Sequence, residues 1–131
     1  MAGDTKTVDS LVEKPATLAR LRDEISSGAV KAADLAATYY DRIAALNPQL
    51  NVYLSLTKER ALAQAARVDA IAAKGDPLPV LAGIPVGIKD VLVMRGAPAT
   101  AGSKILRDTG RPMTLPWWRS WRPPGRYCWA S

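Results

Sequence analysis

The chain has 131 residues, no His and a single Cys, Cys128. That length suits one small domain; the missing His excludes a His-based triad and argues against a classical zinc site, and one Cys excludes an internal disulfide. The net charge is +6, but Arg111, Arg119, Arg122 and Arg126 sit with no acid between Thr109 and Ser131, which leaves +2 for residues 1–108; the body of the chain therefore does not demand a nucleic-acid partner.

Apolar residues make up 48% of the chain, enough for a core. No apolar run approaches the ~18 residues of a membrane span, and MAGDTKTVDS lacks the apolar centre of a signal peptide. With the lone cysteine, these features predict a cytoplasmic protein.

Residues 1–15 are polar and read as loose. Thr17 is placed to cap a short helix ending at Gly28, with Leu18, Leu21 and Ile25 on one face. A second helix is predicted from about Ala32 to Leu46, because Leu35, Tyr39, Ile43 and Leu46 recur at helical spacing; Asn47-Pro48 is expected to stop it. Asn51 to Ser55 reads as short and extended. Thr57 opens an alanine-rich helix, predicted to end at Lys74-Gly75, with Ala61, Leu62, Ala65 and Val68 along its apolar line. Core packing accounts for all three helices. Asp76 to Pro79 is a turn or linker. Beyond it Val86, Ile88 and Val91 to Val93 favour strand geometry, interrupted by Gly83, Gly87 and Gly96. Helices followed by strands predict an α/β or α+β class.

The stretch Leu81 to Asp90, LAGIPVGIKD, places one amine among apolar residues and glycines. It does not fit a phosphate loop. Only three residues separate Gly83 from Gly87, Ile88 intervenes before Lys89, and Asp90 stands where a hydroxyl would hold magnesium. Two readings of Lys89 remain. In one, its stem packs on a strand while its head reaches water. In the other it is a general base, which must be neutral. An ordinary lysine pKa of ~10.4 would then have to fall to ~7, at a cost of about 4 kcal/mol of differential environment. Burial among Ile84, Val86, Ile88 and Val91 is the expected source.

The block V-L-A-G-I-P-V-G-I-K-D, Val80 to Asp90, closely resembles the P-L-A-G-I-P-V-G-I-K-D block of the amidase signature family. Ala97 to Ser103 (APATAGS), Ala101 to Leu106 (AGSKIL) and Leu46 to Ala70 resemble neighbouring blocks of the same family. The likeness covers about residues 15–108 and, within the family, is greatest to the ammonia-releasing subunits of tRNA-dependent amidotransferases. It implies an α/β fold, of which this chain holds the N-terminal helices and the first strands of a mixed sheet covered by helices. It implies a triad of a nucleophilic serine, a serine in a cis peptide bond and a lysine, with Lys89 in the lysine position. It also implies glutamine or asparagine as amide donor. Partner subunits of a heterotrimer would bind the charged tRNA and use ATP and magnesium, so this chain itself would hold no cofactor or metal. A general amidase outside tRNA metabolism is the alternative within the family. The glycine-serine-rich segment that carries the family's two serines has no match in this chain, and Ser103, Ser120 and Ser131 lack such surroundings. The chain is therefore expected to be inactive as an amidase.

The tail, residues 109–131, holds all four Trp. One reading is a small RNA-binding protein that uses arginine–phosphate contacts and aromatic stacking. The other is a shifted reading frame. Reading each codon from the preceding third base turns Met113-Thr114 into Asp and Trp117-Trp118 into Val. The pairs Tyr127-Cys128 and Cys128-Trp129 each become Leu, and Trp129-Ala130 becomes Gly. The genetic code forces all five, and they fall at the spacing of the family's Y-R-P-P-Y-D-A-T-V-V and G-A-V-L-L-G-K. A one-base deletion at Asp108-Thr109 explains this, and such a tail is expected to be disordered or loosely collapsed, because its residues were never fitted to the fold.

Overall fold

The computed structural model describes residues 8–10, 12, 16–94, 97–107 and 129–130. Three helices, α1 (Leu18–Ser26), α2 (Ala32–Leu50) and α3 (Lys58–Ala72), precede two short strands, β1 (Pro85–Val86) and β2 (Trp129–Ala130). Residues 8–10 are also helical, and Val8 is buried.

Helix α1 starts where its cap is expected: Thr17 Oγ1 accepts from the Arg20 amide at 3.2 Å. Leu21 and Ile25 face the core, while Leu18, one turn earlier, is exposed. Gly28 leaves the helix at φ 73°, where a side chain is disfavoured. The chain then turns so that the Val30 amide reaches Glu24 O at 3.1 Å and its side chain is buried.

Helix α2 lacks a cap from its own sequence, since Lys31 has no oxygen in its side chain. Asp69 of α3 supplies one from 37 residues away: Oδ1 accepts from the Ala32 amide at 2.7 Å and Oδ2 from the Ala33 amide at 3.1 Å. This contact pins α2 against α3. Ala32, Leu35, Ala36 and Tyr40 of α2 share a buried cluster with Ala61, Ala65 and Val68 of α3, and the small residues permit close approach of the two helices.

The predicted stop at Asn47-Pro48 is not where α2 ends; the helix continues to Leu50. Proline in the last turn removes one amide donor, and its i−4 residue, Ala44, is exposed, so the carbonyl left over is not that of a buried residue. The stop comes instead from Asn51, left-handed at φ 53°, whose amide closes onto Asn47 O at 2.8 Å. The Asn47 side chain then grips Tyr53 twice, accepting from its amide at 2.9 Å and donating to its carbonyl at 3.0 Å. The predicted apolar face of α2 also leaves the core gradually. Leu35 is buried, Tyr39 and Ile43 are half-buried, and Leu46 is exposed.

The strand region is sparser than predicted. Of Val86, Ile88 and Val91 to Val93, only Val86 is in a strand, and the Leu92 amide donates to Lys89 O at 2.8 Å in a turn. Strand geometry needs neighbours to pair with, and among the described residues β1 has one, β2, in parallel register with Pro85 opposite Trp129 and Val86 opposite Ala130. Gly83 justifies its glycine on two counts. It sits at φ 75°, and a Cβ there would lie 3.0 Å from Ile25 Cδ1 and 3.1 Å from Ala32 Cβ. A Cβ on Gly87 would meet nothing, and Gly96 lies outside the described residues. Within the tail, Trp129 and Ala130 are paired to β1 rather than lying free. The expectation for residues 109–128 and 131 falls outside the described residues. No described helix is long and apolar enough to cross a membrane.

Candidate active site

Lys89 lies three residues beyond β1, at the start of the turn that the Leu92 amide closes onto its carbonyl. It borders an open cleft of about 270 Å³. One wall is the segment between α2 and α3, with Val52 to Ser55 and Thr57; predicted as extended, it bends at Leu54, and the other wall comprises Ile88, Lys89, Asp90, Leu92 and Met94. Met94 is buried, with Ile88 and Ala97 packed on it, and this small cluster gives the second wall its floor.

The apolar enclosure expected around Lys89 is absent. Lys89 is exposed and Val91 is 52% exposed. Val86 and Ile88 are half-buried, and Ile84 is buried in the helical core instead. The physical reason is the short sheet: with no described strand over this side of residues 86–93, solvent reaches the amine. Among the described residues, the Lys89 ammonium has neither an ion pair nor a hydrogen bond.

Asp90 is the organised group of the site, and the sequence reading did not single it out. Its Oδ2 accepts from the Thr100 hydroxyl at 2.6 Å and from the Gly102 amide at 3.1 Å, and its Oδ1 accepts from the Thr100 amide at 3.0 Å. The carboxylate thus closes a turn in which Ala101 and Gly102 are both left-handed, at φ 49° and 73°. The Thr100 hydroxyl, then the surrounding amides, hold the Asp90 carboxyl below the ordinary carboxylate value. LAGIPVGIKD and APATAGS, read separately along the sequence, are therefore joined by one side chain. An acid followed ten residues later by Thr-Ala-Gly was the available signal: a short carboxylate opposite a turn of small residues satisfies its amides. Ser103 follows in the same loop, its amide donating to Thr100 O at 2.8 Å.

Chemically, the arrangement offers one solvated amine on a cleft wall, with Ser55 and Thr57 on the other. Among the described residues, no hydroxyl is hydrogen-bonded to that amine.

Comparison with known proteins gives a consistent answer. Residues 34–113 match the family model described as Amidase. The chain is 48% identical over 92 residues to a glutamyl-tRNA(Gln) amidotransferase subunit from Koribacter versatilis, a match covering 70% of this chain and 19% of the relative. It is 40% identical over 106 residues to the protein of the same name from Salinispora tropica, covering 81% of this chain and 19% of that one. A solved structure described as a vestigial protein complex that reveals the evolutionary origins of an s-triazine catabolic enzyme contains a chain that superposes with a TM-score of 0.78 at 28% identity. That match covers 88% of this chain and 25% of the other. The chain spans about a fifth of the length of the curated relatives it matches. With the family model covering well over half of the residues, and the motif block from Val80 to Asp90 inside the match, the chain belongs to the amidase family.

Proposed function

We propose that this chain is the N-terminal part of the ammonia-releasing subunit of a tRNA-dependent amidotransferase, and that it has no amidase activity by itself. The observation that carries the reading is the 48% identity to a relative named as a glutamyl-tRNA(Gln) amidotransferase subunit. In the intact protein Lys89 is the general base of the serine–cis-serine–lysine triad: it takes the proton that the cis serine relays from the nucleophile while the amide of glutamine or asparagine is cleaved. Partner subunits bind the charged tRNA and use ATP and magnesium, and the assembly is cytoplasmic. Residues 109–131 are out of frame; all but the first five of them lie beyond the family match, which ends at residue 113.

A second reading, a general amidase outside tRNA metabolism, is favoured by the likeness to the complex linked to an s-triazine catabolic enzyme. Two measurements decide. The purified chain is assayed for ammonia release from glutamine and asparagine, where turnover above a Lys89→Met control overturns the inactivity. The neighbouring DNA is sequenced, where genes for the partner subunits beside this one favour the amidotransferase, and their absence favours the general amidase.

A further inference from the structure

The side chain of Lys89 has no polar anchor: among the described residues its ammonium makes neither an ion pair nor a hydrogen bond. Its place is therefore set by its backbone and by the residues on either side of it. Both of those residues are tied to the same later stretch of chain. Before Lys89, Ile88 packs together with Ala97 on the buried Met94, and the Ala97 amide donates to Met94 O at 3.3 Å. After it, Asp90 accepts from the Thr100 hydroxyl, the Thr100 amide and the Gly102 amide. The carbonyl of Lys89 itself accepts from the Leu92 amide at 2.8 Å. Ala97 and Pro98 also line the Lys89 cleft, so the stretch that brackets the lysine forms part of its surroundings.

The polar bracket is the one that sets position. Apolar packing is non-directional, so Ile88 can shift against Met94 at little cost. The Asp90 bonds are directional. The hydroxyl bond, at 2.6 Å, has the short length of an O–H on an ionised carboxylate, and the two amides fix the carboxylate plane. The Ser103 amide, at 2.8 Å from Thr100 O, closes the same turn. Ala101, a residue with a side chain, is held left-handed at φ 49° in the middle of it. Such a conformation costs energy and persists where its surroundings enforce it, and here the carboxylate grips the amides on both sides. A base tolerates little misplacement, since an error of ~1 Å costs on the order of 100-fold in rate.

We propose that Asp90 and Thr100 are positioning residues for Lys89: their hydrogen bonds lock the Lys89–Leu92 turn to the stretch from Ala97 to Ser103 and so fix where the lysine leaves the backbone. The consequence for catalysis rests on the reading of Lys89 as the general base of the intact protein; the lock itself does not. The competing possibility is a clamp that shapes only the Thr100–Gly102 turn and leaves the lysine's turn indifferent to it.

Backbone 15N relaxation of the 131-residue chain separates the two, because Thr100 lies ten residues from Asp90 and Leu92 takes no part in the clamp. In the unmodified chain, Lys89 to Leu92 and Thr100 to Ser103 are expected to share an order parameter near the rigid value of ~0.85. Asp90→Ala should lower both segments below ~0.6. Thr100→Val, which keeps the shape and loses the hydroxyl, should lower both to a lesser extent, and Thr100→Ser, which restores a hydroxyl, should return both to the unmodified value. Unchanged amide signals from α1, α2 and α3 establish that each variant is folded, and if Asp90→Ala is not, the Thr100 pair decides alone. The proposal is overturned if Lys89 to Leu92 stay rigid while Thr100 to Ser103 loosen, if the unmodified chain is already loose at Lys89, if Thr100→Val changes neither segment, or if Thr100→Ser restores neither. The base is tested apart from the lock. In an intact relative that carries the motif block, replacing the block's lysine by Met should abolish ammonia release; retained turnover removes the base and leaves the lock standing.

Discussion

Lys89 and Asp90 are neighbours with opposite roles in this structure. Lys89 is exposed and unpaired among the described residues, so removing its charge should leave the isolated fold nearly unaffected. Lys89→Met is expected to change stability by less than about 0.5 kcal/mol, within reach of a thermal melt. Asp90 holds three donors, and Asp90→Ala should cost about 1–3 kcal/mol and loosen the turn at Thr100 to Gly102. Its depressed pKa also sets a direction with pH. A carboxyl whose folded value lies below its unfolded value contributes stability that is complete above the unfolded value and is lost as pH falls through the folded one. Melts taken from pH 5 downward should therefore show the unmodified chain losing stability below about 3.8, the ordinary value. Asp90→Asn should lose less over that window. Equal acid sensitivity of the two would mean that the carboxylate does not hold the loop.

At the scale of elements, the long-range cap is the most consequential contact. Asp69 satisfies two amides at the start of α2 that its own sequence leaves open. Asp69→Ala should destabilise the chain by about 1–2 kcal/mol, and Asp69→Asn, which keeps an acceptor, by less; chemical denaturation of the two variants separates them. Glycine offers a paired test. Gly28 and Gly83 share nearly the same left-handed φ, 73° and 75°, so alanine imposes the same backbone strain at both. At Gly28 the new Cβ meets open space, whereas at Gly83 it meets Ile25 and Ala32. Gly83→Ala should therefore cost roughly 1–3 kcal/mol more than Gly28→Ala, the difference measuring overpacking alone. The same contrast explains what the sequence made legible. Helices declare themselves by local spacing and caps, which is why α1 and α3 lie close to where Thr17, Thr57 and the alanine line place them. The cap from Asp69, the Asn47–Tyr53 clamp and the Asp90–Thr100 turn join residues by side-chain geometry that no period encodes. Ile88 to Val93 favour strand geometry but form no strand among the described residues, because a strand's existence depends on a partner, and the residues themselves carry no record of whether one is present.

At the scale of the molecule, the core is modest. Among the described residues, only Ile25, Leu35, Val30 and Val68 are large side chains buried to completion, each contributing about 1.5–3 kcal/mol, and much of the remaining core is alanine. Against this stand several exposed leucines and a sheet of two dipeptides, so marginal stability is expected. The pairing of β2 with β1 sharpens the reading of the tail. In the proposed frame, one base restored after Asp108 forces Leu-Leu-Gly at positions 128–130 and permits Ala-Val before it, so the dipeptide paired to β1 falls where that frame reads Leu-Gly. In the proposed out-of-frame reading, Trp129 and Ala130 pair as a strand without having been selected for it. The frame-restored chain should bury those apolar side chains against the same edge, raise the thermal midpoint by several degrees and bind less of an apolar dye. It should also lose all tryptophan fluorescence, since every Trp of this chain lies in the tail. A restored chain that melts no higher than the present one would show that positions 126–130 contribute no strand, and would remove the structural support for the frameshift.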